Sequence, residues 1–364
     1  MNTRPPSIRL AVLGVSVAAA LGFSGLASAY SVKDNEITLR MGSGHPPVIK
    51  YVEEMSKYFA PNVQKRAAAE TKYKIKFQEH YSGTVVNVFD TLEGVQDGRL
   101  DIGGWCVCFD DDKAMAMNLP YYTPFSTPDG NAAIKVFRKL VDDHPELFQD
   151  YEKRYTQKLI ALSGFNNYGL MTAFDWNKFE DLKGRKILAA GPNLPWVRGA
   201  IPVRTTIPTI AQQMQTGVGE GIVLFPDTLF KLKIHESAKY YTTVNFGAVV
   251  QISLTMNSST RTKLPPEVVK IIDEEARKYE THSMAASMAD HDWGMEQLKK
   301  AGVTVKAIDP GVAQAWALAL KDWPNERAQD VKQKKGIDMP KIMRAYIRLI
   351  EDTGYRFPVK YEIK

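Results

Sequence analysis

The sequence predicts an α/β fold with two lobes, a hinge between them and long C-terminal helices. The 364 residues are more than one small hydrophobic core accommodates. Each half of the chain contains a strand–helix–strand pattern, and two further strand-like segments, residues 159–172 and 249–256, can cross between lobes. Two crossings imply discontinuous lobes. The predicted boundaries are residues 30–157 with 246–284 for lobe I, and residues 158–245 with 285–364 for lobe II.

Residues 1–29 have the features of a secretory signal peptide. Arg4 and Arg9 precede an apolar run from Leu10 to Leu21, and Ala27-Ser28-Ala29 has the small-x-small pattern that signal peptidase requires. The run is shorter than the roughly 20 residues of a membrane span, so we expect cleavage after Ala29 and a periplasmic protein; an uncleaved anchor is the alternative. Cleavage lowers the formal net charge of +6 by two. No basic run typical of nucleic-acid binding is present, and no nucleic-acid partner is expected.

The first strand–helix–strand pattern begins at residues 36–41, where apolar and polar residues alternate. The loop that follows, residues 42–47, contains His45. Helical spacing then extends over residues 48–59. Further strands are predicted over residues 73–77 and from residue 102 to 105, with a helix that ends at Gln96 between them.

The second pattern has a strand over Ile187 to Ala190, which Gly191-Pro192 stops because proline has no amide to donate. A helix over residues 209–215 and a buried strand over residues 222–224 follow. Ligands of parallel sheets bind outside the carboxyl ends of the strands. We therefore expect residues 190–198 and 225–230 to lie at the site. Later helices are predicted over residues 131–141, 265–300, 311–323 and 340–350.

No pattern typical of an enzyme is present. The sequence lacks a Gly-x-Ser-x-Gly elbow, a His-Glu-x-x-His motif, a phosphate-binding glycine loop and a dinucleotide fingerprint, so neither catalysis nor a cofactor is expected. Cys106 and Cys108 are two apart in a predicted strand, a spacing poorly suited to a disulfide, and we expect free, buried thiols. No spaced ligands accompany them to form a metal site. The run Asp110 to Asp112 is interpreted as a solvated turn.

Several segments together resemble the solute-binding proteins of tripartite ATP-independent periplasmic (TRAP) transporters, of the dicarboxylate-binding type. These segments are Leu92-x-x-Val95-Gln96-x-Gly98-x-Leu100-Asp101, Leu119-Pro120-Tyr121-Tyr122, Asp181-Leu182-Lys183-Gly184-x-Lys186-Ile187 and Gln215-Thr216-Gly217-Val218-x-Glu220-Gly221. The resemblance implies a periplasmic binding protein of type II-like fold. It further implies a monomeric receptor that closes on a solute by hinge bending and delivers it to a permease of one small and one large membrane subunit. A sensor that presents its solute to a receptor and a periplasmic enzyme on the same scaffold are the alternatives.

One departure from the family pattern bears on the ligand. The family places a carboxylate-binding arginine where this chain has Leu188. A second carboxylate would then be buried without a partner, so we expect a monoanion with an apolar, aromatic body. Arg198 is the candidate partner for the anion, and Arg204 or a lysine is the alternative. The predicted ligand-binding residues are His45, Trp105, Phe109, Phe165, Asn167, Tyr168, Trp196, Arg198, Phe225 and Asp227.

Overall fold

Twelve strands in residues 31–109 and 112–364, the part of the chain that this computed structural model describes, form two six-stranded sheets. The predicted signal peptide and two residues of the predicted acidic turn, Asp110 and Asp111, lie outside the described residues. The strands are β1 (Ser31–Lys33), β2 (Glu36–Gly42), β3 (Lys74–His80), β4 (Ile102–Cys106), β5 (Gln157–Asn167), β6 (Gly169–Thr172), β7 (Lys186–Ala189), β8 (Ile201–Arg204), β9 (Gly221–Leu224), β10 (Tyr240–Thr243), β11 (Ala248–Asn257) and β12 (Thr304–Ala307).

The first sheet has the order β3-β2-β4-β11-β5, with β1 added antiparallel to β2. β2 pairs parallel with β3 and β4, whereas β11 runs antiparallel to β4 and β5. The alternating residues Ile37, Leu39 and Met41 of β2 are fully buried. β4 and β11 are buried at every position, as expected for strands covered on both faces.

The second sheet has the order β12-β10-β6-β9-β7-β8. β7 pairs parallel with β8 and β9, and β10 pairs parallel with β12, while β6 runs antiparallel to β9 and β10. The predicted strands β7 and β9 are confirmed. The strands β8, β10 and β12 of this sheet were not predicted from the sequence. β8 and β12 lie at the two edges and bury few of their side chains, which leaves little apolar pattern to detect.

Thirteen α-helices of the described residues cover these sheets, and a π-helical turn, Met55–Phe59, joins the first two. They are α1 (Lys50–Glu54), α2 (Ala60–Glu70), α3 (Thr91–Gln96), α4 (Leu119–Tyr122), α5 (Gly130–Asp143), α6 (Glu146–Arg154), α7 (Ile210–Gln215), α8 (Pro226–Lys231), α9 (Ser258–Lys263), α10 (Pro266–Lys300), α11 (Pro310–Ala319), α12 (Trp323–Lys335) and α13 (Met339–Asp352). No described helix combines the length and the apolar character needed to cross a membrane.

The chain passes between the sheets three times, from β5 to β6, from β10 to β11 and from β11 to β12 through α10. The first crossing lies within the predicted segment 159–172, whereas the second lies just before the predicted segment 249–256. These first two crossings are hydrogen-bonded to each other. Tyr168 separates β5 from β6, and residues 244–247 separate β10 from β11. The Tyr168 amide donates to the Gly247 carbonyl over 3.2 Å, and the Phe246 amide donates to the Tyr168 carbonyl over 3.3 Å. The side-chain amide of Asn167 donates to Asn245 Oδ1 over 2.7 Å. These bonds form the candidate hinge.

The long helix α10 packs on both halves of the molecule. Near its middle, Glu280 accepts from Arg138 Nε of α5 over 3.0 Å and from the Leu162 amide of β5 over 2.9 Å. Further along, Gly294 brings α10 so close to the backbone of Asp227 that a Cβ there would lie 2.3 Å from the Asp227 nitrogen. α10 therefore supports the first sheet and α8 together.

The C-terminal segment packs differently from the predicted division into lobes. Tyr346 of α13 contacts Phe137 of α5 with ring centroids 6.3 Å apart, and the Tyr361 hydroxyl donates to the Pro124 carbonyl over 2.6 Å. Trp316 of α11 instead packs on the second half, next to Trp176. The lobe boundaries remain a prediction. The packing favours assigning α13 and the residues after it to lobe I.

Candidate ligand site

A cavity of about 480 Å³, including its opening to solvent, lies between the two sheets at the carboxyl ends of several strands. The loops after β2 and β4 contribute one side, and the segments after β7, β8 and β9 contribute the other. The crossing between β5 and β6 forms the floor. The described lining residues are His45, Ile49, Cys108, Phe109, Tyr121, Phe165, Tyr168, Ala190, Asn193, Thr205, Thr206, Ile207, Ile210, Ile222, Val223, Leu224 and Phe225.

Aromatic rings form the floor of the cavity. Phe165 and Phe225 stack with centroids 4.8 Å apart, and Tyr168 meets Phe225 edge to face at 5.3 Å. The hydroxyls of Tyr168 and Tyr121 lie 3.0 Å apart. Burial raises the pKa of the Tyr168 hydroxyl well above its usual value, so the group is neutral. The floor thus offers broad apolar faces and a pair of hydroxyls.

His45 is fixed by a chain of buried hydrogen bonds. Its Nδ1 lies 2.9 Å from the Tyr51 hydroxyl, which lies 2.8 Å from Ser43 Oγ. Burial lowers the pKa of His45 to about 4, so the imidazole is neutral at physiological pH. Its other ring nitrogen, Nε2, is buried without a hydrogen-bond partner among the described residues. The ring is therefore held on one side and unsatisfied on the other.

The prediction of free thiols is wrong, because Cys106 and Cys108 form a disulfide. The prediction placed both residues in one strand, where residues two apart are about 6.6 Å apart. Instead, β4 ends at Cys106 and a 3-10 turn, Val107–Phe109, follows. The turn shortens the Cα–Cα distance to 5.1 Å, within the range of disulfides. Cys108 and Phe109 of this turn line the cavity.

The turn also touches the opposite side of the cavity. Gly191, directly after the β7 strand end, has a left-handed φ of +51°, and a Cβ there would lie 2.5 Å from the Cys108 carbonyl oxygen. Only glycine combines that backbone conformation with so close an approach. The two sides therefore meet backbone to backbone at this point.

Five of the predicted ligand-binding residues line the cavity, and five do not. The lining residues are His45, Phe109, Phe165, Tyr168 and Phe225. Trp105 is a core residue whose Nε1 donates to the Tyr151 hydroxyl over 3.0 Å. Asn167 bonds the second crossing at the hinge. Asp227 is buried beneath the site, where it accepts from Asn166 Nδ2 over 2.9 Å.

Trp196 and Arg198 also lie outside the cavity. Trp196 is fully buried and stacks on Phe246 with centroids 5.1 Å apart. Arg198 is exposed and donates to the Ala319 carbonyl over 3.0 Å. Arg204, the alternative, is exposed as well. The structure places neither arginine against the cavity, and no described lining residue is an arginine, a lysine or a carboxylate.

Sequence reasoning missed several lining residues, among them Tyr121, Asn193, Thr205 and Ile207. Asn193 lies in the segment after β7 that was expected at the site, and its position between two prolines was an available signal. Tyr121 belongs to the family-like segment Leu119-Pro120-Tyr121-Tyr122, but no predicted strand ends next to it, so the sequence did not indicate that it lies at the site. Its place in the cavity follows from the packing of the short helix α4.

A sequence comparison and a structural comparison identify relatives of this chain. The profile of the family DctP, described as bacterial extracellular solute-binding protein, family 7, matches residues 52–329. A comparison with curated protein sequences gives no match.

Solved structures share the fold. A TRAP solute-binding protein of Rhodoferax ferrireducens, in complex with copurified benzoate, is 19% identical with a TM-score of 0.77 and covers 87% of this chain and 98% of its own. DctP6 of Bordetella pertussis, an extracytoplasmic solute receptor that binds pyroglutamic acid, is 19% identical with a TM-score of 0.73 and covers 85% and 99%. A Sulfitobacter TRAP protein with bound β-D-galacturonate is 17% identical with a TM-score of 0.71 and covers 85% and 99%. The predicted two-lobed fold is confirmed.

Proposed function

We propose that the solute of this chain is an apolar organic acid with a single charge. The chain belongs to DctP, family 7 of the bacterial extracellular solute-binding proteins. The chain is a substrate receptor of the TRAP type, and its family and structural neighbours are solute receptors rather than enzymes. Such receptors bind small organic acids outside the cytoplasm and work with membrane permease subunits. The residues that line the cavity indicate the size, charge and polarity of the solute.

The observation that carries the proposal is the lining of the cavity. Phe165, Phe225 and the rings of Tyr121 and Tyr168 supply apolar faces, and each aromatic pair contributes about 0.5–1.5 kcal/mol beyond area burial. The described polar groups are neutral. A second carboxylate would lack a charged partner there and cost several kcal/mol.

A single carboxylate can be accommodated by neutral donors. The imidazole of His45 lies on one side of the cavity, and the hydroxyls of Tyr121 and Tyr168 lie together on its floor. Hydrogen bonds from neutral groups to an ionised acceptor are stronger than bonds between two neutral groups. The benzoate found in the Rhodoferax relative supports the idea that this fold admits an aromatic monoacid. A single carboxylate can therefore be bound without Arg198.

We further infer that the chain is cleaved after Ala29, that the mature protein is a monomer, and that it delivers the solute to one small and one large permease subunit. Closure about the hinge at Asn167, Tyr168 and Gly247 encloses the solute, because the cavity is bounded by segments from both sheets. Solution scattering checks the closure: the radius of gyration falls at saturating ligand, and an unchanged profile contradicts it.

A thermal-shift screen tests the solute class. The protein is first unfolded and refolded to remove carried-over solute, and is then screened with benzoate, phenylacetate and cyclohexanecarboxylate against succinate, malate and fumarate. The monoacids raise the melting temperature in a concentration-dependent manner, whereas the four-carbon diacids do not. Stabilisation by the diacids alone would show that a second charge is accepted and would overturn the proposal.

A further inference from the structure

Two polar groups in the cavity are buried without partners, one on each side. On the side of β2, His45 Nε2 has no hydrogen-bond partner among the described residues, and on the side of β7 the same holds for Asn193 Oδ1. Both residues are buried, at 3% and 1% exposure, and both line the cavity. A polar atom that is buried without a hydrogen-bond partner destabilises the folded protein. Two such atoms on residues that line one cavity indicate groups that a ligand can complete.

The His45 nitrogen is a neutral and fixed group. The bond between Nδ1 and the Tyr51 hydroxyl sets the orientation of the ring, and Ser43 in turn holds that hydroxyl. When Tyr51 donates to Nδ1, Nε2 carries the proton and donates. Phe109 lies against the ring at 5.4 Å and shields it from solvent. His45 therefore presents one directed hydrogen bond without charge.

Asn193 presents the complementary group from the opposite side. It lies in the 3-10 segment Gly191–Val197, and its backbone amide donates to the Ala190 carbonyl over 3.3 Å. A primary amide carries an acceptor and a donor on its two terminal atoms. It can thus bond a hydroxyl, a ketone or the N–H of a lactam, but it supplies no charge for a carboxylate.

We propose that His45 and Asn193 together select acids that carry, besides the carboxylate, an uncharged hydrogen-bonding group such as a hydroxyl, a ketone or a lactam. This inference rests on the proposed function and specifies its solute class. An acid without the second group leaves at least one of the two buried atoms unpaired. A site built to bond a polar group binds the analogue that lacks it more weakly.

The test uses matched acids and calorimetric titration. Pyroglutamate is compared with cyclopentanecarboxylate, and 2-, 3- and 4-hydroxybenzoate are compared with benzoate. In at least one pair, the wild type binds the substituted acid about tenfold more tightly or better. In Asn193→Leu or His45→Gln, that preference falls by about fivefold or more. In Asn193→Leu, affinity for the unsubstituted acid changes little.

Asn193→Leu is the more informative variant, because it removes an unpartnered atom and is expected to fold at least as stably as the wild type. Asn131→Leu, at an exposed position on α5, is the matched control and keeps the full preference. Wild-type protein that binds both members of every pair equally, or variants that both keep the preference, would overturn the inference and leave the proposed function intact. A failure of every acid to bind would overturn the proposed function as well.

Discussion

The two walls of the cavity are held in place in different ways. The first wall consists of residues 42–49 and 106–109, and the second wall consists of residues 190–197 and 205–210. The first wall is fastened internally: Ser43, Tyr51 and His45 form one hydrogen-bonded chain, and a disulfide closes the turn after β4. Asn118 Nδ2 also donates to the Val107 carbonyl over 3.1 Å. These bonds hold the wall within its own half of the molecule.

The second wall depends on contacts with other parts of the molecule. Trp196 Nε1 donates to the Tyr121 carbonyl over 2.9 Å, across the cavity floor. The Trp196 carbonyl accepts from Trp316 Nε1 of α11 over 2.6 Å, and its ring stacks on Phe246 of the second crossing. Trp196 thus connects the second wall to α4 and the candidate hinge through its side chain, and to α11 through its backbone carbonyl. The comparison indicates a wall held by local bonds and a wall positioned by one aromatic anchor.

The largest expected effect follows from removing that anchor. Trp196→Ala deletes a fully buried ring, together with its hydrogen bond to the Tyr121 carbonyl and its stacking on Phe246. The free energy of unfolding is expected to fall by about 3–5 kcal/mol. Chemical denaturation measures the change. Trp105→Ala is the matched control: it costs a similar amount of stability but leaves acid binding by the folded protein intact, whereas Trp196→Ala abolishes it. Retained binding in Trp196→Ala would contradict the anchor role.

The next effect concerns the first wall and depends on pH. Burial lowers the pKa of His45 to about 4 from 6.5, so the unfolded chain binds the proton more readily than the folded protein does. The contribution to stability is complete above pH 6.5 and is lost as the pH falls towards 4. Between pH 7 and 5, we expect the wild type to lose about 2 kcal/mol more than His45→Gln. Parallel denaturation curves at both pH values measure this difference, and equal losses would show that His45 does not titrate in this way.

A smaller effect is expected for the disulfide of the first wall. A loop this short contributes about 1.5 kcal/mol through the entropy of the unfolded chain. The Cys106→Ala/Cys108→Ala variant should lose roughly that stability, together with affinity for the best acid of the screen, because Phe109 and the Cys108 carbonyl are less fixed. Dithiothreitol should reproduce both effects in the wild type and have none on the variant. Unchanged affinity after reduction would mean that hydrogen bonds alone hold the turn.

The smallest effect is expected at Arg198. Its side chain is exposed and bonds only the Ala319 carbonyl among the described residues. Arg198→Met should change stability by less than about 0.5 kcal/mol and leave acid affinity unchanged. Arg204→Met serves as the companion variant. A loss of affinity above about tenfold in either variant would restore the arginine as the anion partner and contradict the neutral-donor account of the walls.

The sequence was sufficient to predict the main strands and helices that position the site. The buried strands β7 and β9 are short apolar runs followed within three residues by a proline, so their ends, and hence the cavity-lining segments after them, could be predicted. It was not sufficient to decide which aromatic side chain faces the cavity. Trp105 and Phe165 both lie in buried strands, yet one points into the core and the other into the site. That choice depends on how the two sheets pack.

The disulfide and the burial of Asn193 could not be predicted from the sequence, for a related reason. Whether Cys106 and Cys108 can bond depends on where β4 ends, and strand ends are the least predictable part of a sequence pattern. The two prolines around Asn193 indicate a bend in the segment expected at the site, but not a buried side chain. The burial of Asn193 without a partner is a property of the folded chain.

Native mass spectrometry of the protein purified from the periplasm tests the central claim most directly, because it detects the solute that the cavity retains. Ile207 lines the cavity at its half-buried rim, so Ile207→Trp fills the space, whereas Ile201→Trp adds the same ring at an exposed position outside it. The account predicts a bound species with the mass of one small monocarboxylic acid in the wild type and in Ile201→Trp, and none in folded Ile207→Trp. An equally loaded Ile207→Trp protein, or a bound species identified as a dicarboxylic acid, would contradict it.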